Sequence, residues 1–228
     1  AALHPGDQVF MVSMYMSHDE RLGAHENFIA AAAAADVAHI AYLSFINAAA
    51  DAEFAHGTSH YETEKLIEAS GVPFTFLRTS LYQATVPLLY VNGLCAAPAG
   101  EGATSWVSRR DCGAAVAAVL RDGAAHAGMT YDLTGPESLT MDETSERINR
   151  LLGLDFRYRH EDDFERLGTR GLPDPVELKP ARRSAFTSMA LGEQALVTDD
   201  IETLTGLPAT PLDRHVLNYR EQFTDPRD

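Results

Sequence analysis

The chain has 228 residues, 45% of them hydrophobic, so it can bury a sizeable core and is not expected to be disordered. Its 18 Lys and Arg stand against 33 Asp and Glu, and the net charge of −15 argues against a nucleic-acid surface or an anionic membrane as partner. No apolar run approaches the roughly 18 residues of a membrane-spanning helix. Cys95 and Cys112 form no CxxC motif. We therefore expect neither a disulfide framework nor a metal site, and a reducing, cytoplasmic setting.

The first third of the chain alternates between strand and helix patterns. Three β-rich runs and two helical patterns follow one another, over Gln8–Met14, Ala24–Ala35, His39–Ser44, His60–Ser70 and Val72–Leu77. Gly71 stands where a left-handed residue ends a helix. Strand–helix–strand units of this kind predict a parallel sheet. Ligands of such sheets bind at the carboxyl ends of the strands, so the loops after Ser44 and Arg78 are the first candidates for function.

The middle of the chain continues the alternation with clearer helix caps. The pattern predicts a helix over Leu81–Tyr90 and strands over Thr104–Val107, Met129–Leu133 and Phe156–His160. A further helix begins with Ser108 as N-cap and Asp111 as its capping-box partner, and ends at Gly123. Another is opened by a capping box of Thr140 and Glu143, and runs from there to Leu152.

The residue pattern of the sequence changes at Glu161. Helical patterns separated by Gly and Pro cover Asp162–Leu167, Pro175–Leu191 and Asp199–Leu204, with Thr198 as cap of the last one. The fold class predicted from these elements is α/β, with a Rossmann-like parallel sheet and a small helical C-terminal lobe. The predicted domains are 1–160 and 161–228.

Three segments carry a resemblance to a known family: YLS at 42–44, HYETEK at 60–65 and SGVPFTFLR at 70–78. They resemble the NmrA-like branch of the atypical short-chain dehydrogenases/reductases, which includes type 2 NAD(P)H:quinone oxidoreductases and triphenylmethane reductase. The resemblance implies NADP(H) or NAD(H) as cofactor and hydride transfer to a quinone-like small-molecule acceptor. It also leaves two alternatives: a non-catalytic redox sensor that binds dinucleotide or a partner protein, as NmrA does, and an epimerase or isomerase of the extended type.

The sequence contains no glycine-rich GxGxxG turn, the element that holds a dinucleotide's pyrophosphate. Its opening, AALHPGDQVFMVS, resembles the stretch that leads into the family's fourth strand. We therefore expect an N-terminally incomplete chain or a shortened relative. Lacking the earlier strands, such a chain would expose a sheet edge, and be poorly stable or pair with something, for example as a homodimer.

The resemblance places the cofactor along the ends of three strands. It implies contacts from Ser13, Met14 and Tyr15 in the loop after the first strand, and from Ser44 and Phe45 after the second. Arg78, which ends the third strand, either meets a phosphate or forms a salt bridge under the sheet.

The acceptor is expected beside the segment that follows the third strand. The segment comprises Thr79, Ser80, Leu81, Tyr82, Gln83 and Ala84. Free backbone N–H groups, hydroxyls and one aromatic ring converge at such a helix start. The alternative is an ordinary N-cap formed by Thr79 or Ser80.

The candidate catalytic residues lie on the predicted helix after Ser44. Tyr61 and Lys65 are one turn apart, and in typical short-chain dehydrogenases such a lysine lowers the tyrosine pKa for acid–base chemistry with a nearby serine. The family pattern, however, aligns His56 rather than Tyr61 with that tyrosine, so an exposed helix face is the alternative. His60 matches the family's His-x-x-Thr-Glu pattern, and could orient the substrate, donate a proton or cap the helix. Glu64 is interpreted as a structural residue that pairs with a nearby donor.

Overall fold

The computed structural model describes residues 3–14, 16–162 and 179–224. The strands are β1 (Gln8–Val12), β2 (His39–Phe45), β3 (Phe74–Thr79), β4 (Leu94–Ala97), β5 (Ala103–Thr104), β6 (Met129–Leu133), β7 (Leu139–Thr140) and β8 (Arg157–His160). The α-helices are α1 (His18–Ala34), α2 (Ala55–Ser70), α3 (Arg109–Arg121), α4 (Met141–Leu152), α5 (Lys179–Ala190), α6 (Asp200–Thr205), α7 (Leu212–Asn218) and α8 (Glu221–Thr224).

The main sheet contains four parallel strands in the order β1-β2-β3-β6, so the predicted parallel α/β fold is confirmed. In its register Ser44 lies beside Arg78, and Phe45 beside Thr79. Two small sheets accompany it, with β4 parallel to β8 and β5 antiparallel to β7. β1 is an edge strand that exposes part of Phe10 and Val12. The predicted homodimer stays a prediction.

Helices cover both faces of the sheet. α1 and α2 pack on the face that carries Ile40, Tyr42 and Phe76. α3 and α6 cover the opposite face, where Ala41 and Leu77 point. Because successive side chains of a strand point to opposite faces, burial on both sides requires the continuous apolar run that β2 shows.

A second hydrophobic core lies beside the sheet, around the buried Trp106 and Tyr90. α4 contributes Met141 and Ile148 to it, and α5 contributes Met189. The core thus draws on both sides of residue 160, and the predicted domain boundary there stays a prediction. Both cysteines are buried and free. Across the described residues, no helix combines the length and apolar character needed to cross a membrane.

The local helix signals were the most accurate. Gly71 ends α2 with φ 74°, and Gly153 ends α4 with φ 70°, so both adopt the left-handed conformation. The capping box of Thr140 and Glu143 is present in both directions. Ser108 caps α3 by accepting a hydrogen bond from the Arg110 N–H. These bonds form within one turn, so local sequence is enough to specify them.

Two predicted caps were wrong because tertiary partners compete for the same side chains. The carboxylate of Asp111 does not close the Ser108 box but accepts bonds from the backbone N–H and hydroxyl of Thr210, at 2.6 and 3.0 Å. Thr198 does not cap α6, whose N-cap is Asp199 without a side-chain bond. The Thr198 hydroxyl donates instead to the carbonyl of Asp132.

Several predicted bounds were also wrong. The predicted helix over Leu81–Tyr90 is a 3₁₀ helix over Gln83–Leu89, and it contains Pro87, which has no N–H to donate. α1 begins six residues before the predicted Ala24 and α2 five residues before the predicted His60. Their first turns are polar and lack the apolar spacing on which the prediction depended.

Some short elements were not predicted or were predicted with wrong bounds. Neither β4 nor α7 was predicted, and the strand predicted over Thr104–Val107 is only the two residues of β5. The helix predicted over Asp162–Leu167 lies outside the described residues apart from Asp162. Of the helix predicted over Pro175–Leu191, the part over Lys179–Ala190 is confirmed as α5.

Gly102 lies against the backbone at the end of α5 and offers a test of this packing. A Cβ at Gly102 would meet the Met189 carbonyl oxygen at 2.0 Å, and one at Gly113 on α3 would meet nothing within 4 Å. We expect Gly102→Ala to lower the free energy of unfolding by about 1–3 kcal/mol, because backbone must move. Gly113→Ala should be neutral or stabilise by up to about 1 kcal/mol. Urea unfolding measures both, and equal effects would contradict this packing.

Candidate functional site

A cleft of about 220 Å³ opens at the carboxyl ends of β1, β2 and β3. It is lined by Val12, Ser13, Met14, Arg21, Leu43, Ser44, Phe45, Phe54, His56, His60, Thr79 and Tyr82. A larger cavity of about 400 Å³ opens between the start of α3 and α7. We treat the smaller cleft as the candidate site, because it lies where parallel sheets bind ligands and because polar and aromatic groups meet in it.

The residues predicted to touch a cofactor are largely brought together. Ser13, Met14, Ser44 and Phe45 all line the cleft. Tyr15 lies outside the described residues. The hydroxyl of Ser13 is buried and makes no hydrogen bond with the described residues, so it offers an unused polar group at the end of β1.

Arg78 lies one residue before the end of β3, not at its end as predicted, and its guanidinium is held in an ion pair and does not line the cleft. Its Nε and one terminal nitrogen donate to the two carboxylate oxygens of Glu64 at 2.9 and 2.6 Å. The Ser44 hydroxyl donates to the same carboxylate at 2.6 Å. Of the two interpretations open for Arg78, the geometry favours the salt bridge. The bond with Glu64 also raises the pKa of Arg78.

Of the segment predicted to bind the acceptor, only Thr79 and Tyr82 line the cleft. The polar side chains of Ser80 and Gln83 form hydrogen bonds outside the cleft. The Ser80 hydroxyl pairs with that of Thr104, and the Gln83 amide donates to two backbone carbonyls. Leu81 and Ala84 are half-buried and lie outside the cleft lining.

Tyr61 and Lys65 lie on the side of α2 that faces away from the cleft. The Lys65 ammonium is exposed, forms an ion pair with Glu68 at 2.7 Å and lies 5.3 Å from the centre of the Tyr61 ring. Neither side chain lines the cleft with Ser44. The geometry does not assemble a Ser–Tyr–Lys set, and a catalytic role for the pair stays a prediction.

His60, by contrast, points from α2 into the cleft. Its ring is buried, and its Nδ1 lies 2.8 Å from the Tyr42 hydroxyl. The ring also stacks on Phe45, with centroids 6.3 Å apart. Phe54 also lines the cleft, and its ring centre lies 4.6 Å from that of Phe45.

Arg21 brings a fixed positive charge to the same cleft. The side chain is only 3% exposed, and its guanidinium donates to the Ser59 hydroxyl at 3.1 Å and to Nε2 of His56 at 3.4 Å. His25, one turn later on α1, is also buried and bonds to the Thr63 hydroxyl at 2.8 Å. Three histidines therefore surround one arginine. Within the described ranges, no group of His, Cys, Asp and Glu is arranged to hold a metal ion.

The three histidines are neutral at pH 7 for two physical reasons. Burial, and to a smaller extent the charge of Arg21, together lower the pKa of His25 and of His56 to about 4. The same two causes, burial first, hold the pKa of His60 well below its usual range. A neutral imidazole can both donate and accept a hydrogen bond, so each ring carries one N–H and one lone pair at working pH.

Sequence reasoning missed Arg21, Tyr42 and Phe54 as site residues. Arg21 lies before the predicted start of its helix, and Tyr42 was interpreted as part of a buried strand and of the family resemblance but not as a site residue. One signal was available: a tyrosine in a strand buried on both faces needs a hydrogen-bond partner for its hydroxyl. The sequence alone did not say that the partner is His60.

The fold and the cleft together define the class of protein. A parallel α/β sheet with a cleft at its carboxyl edge is the arrangement of Rossmann-like, dinucleotide-binding proteins. The model of the NmrA-like family matches residues 1–212, and the chain belongs to that family.

Relatives of known activity support the same placement. The chain is 32% identical to the (4-alkanoyl-5-oxo-2,5-dihydrofuran-3-yl)methyl phosphate reductase of Streptomyces griseus, over 97% of this chain and 79% of that protein. It is 31% identical to quinone oxidoreductase 2 of Escherichia coli, over 85% of this chain and 68% of that protein. The crystal structure of the Escherichia coli NADPH-dependent quinone oxidoreductase with NADPH superimposes with a TM-score of 0.83 at 28% identity, covering 93% of this chain and 76% of that one.

The ion pair of Glu64 and Arg78 should stabilise the fold far more than the exposed pair of Lys65 and Glu68. We expect Arg78→Met to lower the free energy of unfolding by about 3 kcal/mol, because it leaves a buried carboxylate with one partner fewer. Lys65→Met is the matched control and should change the free energy of unfolding little, because its pair is exposed and screened by solvent. Urea unfolding at pH 7 compares the two variants, and similar losses in both would refute the assignment.

The buried histidines should make the protein sensitive to mild acid. Unfolding raises the pKa of His25 and His56 from about 4 towards 6.5, so the unfolded chain binds more protons between these values. The free energy of unfolding should therefore fall as the pH falls from about 6.5 towards 4. We expect His56→Asn to reduce the slope between pH 6.5 and 5. Denaturant unfolding at several pH values measures the slope, and an equal slope in the variant and the unmodified protein would be evidence against buried neutral rings.

Proposed function

We propose that this protein is an NAD(P)H-dependent oxidoreductase that passes hydride to a quinone-like or similarly conjugated small molecule. The observation that carries the proposal is the cleft itself, in which Ser13, Ser44 and Thr79 from three neighbouring strand ends meet His60 and Phe45. Membership of the NmrA-like family and the activities of the relatives support it.

The residues at the strand ends fit the nicotinamide end of the cofactor. The unpaired Ser13 hydroxyl, the Ser44 backbone and the Phe45 ring offer polar and flat apolar groups side by side. The 228 residues contain no glycine-rich turn to hold a pyrophosphate, so we assign no residue to that part of the cofactor. The reduced dinucleotide would supply the hydride.

The opposite wall of the cleft suits a planar conjugated acceptor. Phe54 and Tyr82 line it with aromatic surface, and such rings pack well against flat π-systems. Arg21 places a positive charge beside this surface. Fixed charges and N–H dipoles in a partly dry cleft stabilise the negative charge that an acceptor gains with the hydride.

A Tyr–Lys acid is not required for this reaction. The oxygen of a quinone that has accepted hydride can take its proton from water, so the outward position of Tyr61 and Lys65 is compatible with turnover. An epimerase or isomerase would need those groups in the cleft. The reductase proposal therefore agrees better with the geometry of α2.

Mixing the purified protein with NADPH and 1,4-benzoquinone tests the proposal directly. We expect loss of absorbance at the reduced-nicotinamide band, above the rate without protein. Phe54→Ala should lower the catalytic efficiency about tenfold, because it removes an aromatic wall of the acceptor site. Tyr61→Phe should retain turnover.

One outcome would count against the reductase, and a second against proton supply from water alone. Binding of NADPH without oxidation, across a panel of quinones and conjugated ketones, would favour the redox-sensor alternative. Loss of turnover in a folded Tyr61→Phe variant would restore the Ser–Tyr–Lys interpretation.

A further inference from the structure

We propose that Tyr42 fixes the tautomer of His60, so that His60 presents an Nε2–H group to the cleft as hydrogen-bond donor to an oxyanion. Tyr42 is thus a positioning residue, and His60 is the group that contacts the ligand. The identity of the ligand, a conjugated carbonyl that gains negative charge on its oxygen, rests on the proposed function. The tautomer rests on the geometry of the free protein alone.

The Tyr42 hydroxyl is placed to donate its proton to His60. It lies in the middle of β2 with no exposed surface, and Nδ1 of His60 lies 2.8 Å from it. The hydroxyls of Thr63 and Ser13 also lie close to the phenol, but that of Thr63 is already bonded to His25 and that of Ser13 makes no hydrogen bond with the described residues. A buried hydroxyl that keeps its proton undonated costs about 1–3 kcal/mol. Burial also raises the pKa of Tyr42, so the phenol is protonated at working pH. The phenol is therefore the donor and Nδ1 the acceptor.

The proton of His60 then has to be on Nε2. Burial and the nearby charge of Arg21 keep the ring neutral, and a neutral imidazole carries one N–H. Nε2 makes no hydrogen bond with the described residues, while the ring lines the cleft. The N–H group is left available for a ligand.

His25 is predicted to have the opposite tautomer, which makes it an internal reference. The Thr63 hydroxyl donates its proton to the Ser59 carbonyl at 2.7 Å, so its oxygen can only accept from Nδ1 of His25. His25 therefore carries its proton on Nδ1. His25 and His60 both contact the Tyr42 ring but should differ in tautomer. The reason is that the Tyr42 hydroxyl donates to Nδ1 of His60, whereas the Thr63 hydroxyl accepts from Nδ1 of His25.

The surroundings of His60 suit an oxygen that carries negative charge. Arg21 is the fixed charge facing this part of the cleft, and His56 and His25 are neutral. The Glu64 carboxylate, one turn later on α2, is neutralised by Arg78. An N–H donor backed by a positive charge is the arrangement that stabilises an oxyanion.

Nitrogen NMR of the ¹⁵N-labelled protein at pH 7 tests the tautomers without any turnover. Long-range ¹H–¹⁵N correlations should show His60 protonated on Nε2 and His25 on Nδ1. Tyr42→Phe removes the donor, and should give His60 a mixture of tautomers while His25 keeps its own. Protonation of His60 on Nδ1 in the unmodified protein would overturn the proposal. So would ¹H–¹⁵N correlations of His60 that are the same in Tyr42→Phe as in the unmodified protein. Tyr131→Phe, which removes a hydroxyl bonded to His126 outside the cleft, is the control.

The ligand contact is tested with 4-nitrophenolate, whose oxygen mimics that of a reduced acceptor. We expect it to shift the Nε2–H signal of His60, and to bind about tenfold more weakly to His60→Phe, since a hydrogen bond to a charged group is lost. Binding that leaves this signal and affinity unchanged, or no binding at all, would overturn the oxyanion assignment. If tautomer and phenolate binding hold while NADPH is not oxidised, the reductase proposal fails and this one stands.

Discussion

The buried carboxylate of Glu64 is the constraint on which the candidate site depends. Glu64 is 2% exposed, and joins α2 to Ser44 on β2 and to Arg78 on β3. A charge removed from water in this way must keep its partners, so the rotation of α2 about its axis is set. Residues four positions apart share a helix face, and His60 is therefore turned into the cleft while Tyr61 and Lys65 are turned out.

The electrostatics of the cleft follow from the same packing. With Glu64 neutralised by Arg78, Arg21 is the charged side chain among the described residues that line the cleft, and it is held by Ser59 and His56. Its field and the burial of the rings keep the histidines neutral, and neutral rings can act as directional donors. The site thus combines one cation, N–H groups and aromatic walls, a set suited to an acceptor that becomes negative while it reacts.

Sequence reasoning predicted the fold well where the signals are local. The alternation of β-rich runs and helical patterns gave the parallel sheet, and Gly71 and the box of Thr140 with Glu143 marked helix ends within a residue. It failed where a side chain had a distant partner: Asp111 binds Thr210, and Thr198 binds Asp132. For the candidate site, sequence reasoning predicted Ser13, Ser44, Phe45, His60 and Thr79, which the fold brings together. It did not predict that Arg21 and Tyr42 belong to the same site.

The amino-acid sequence by itself determined the α/β class, through periodicity and helix caps, and the family, through the resemblance of three short segments. It also predicted the strand ends as the place of a ligand. All of these signals act over a few residues. Only the tertiary structure decided that Arg78 is bound to Glu64, that YxxxK faces outward, and that the Tyr42 hydroxyl meets His60. The reason is geometric: hydrogen bonds act over about 3 Å, and which groups come that close depends on how helices rotate against the sheet.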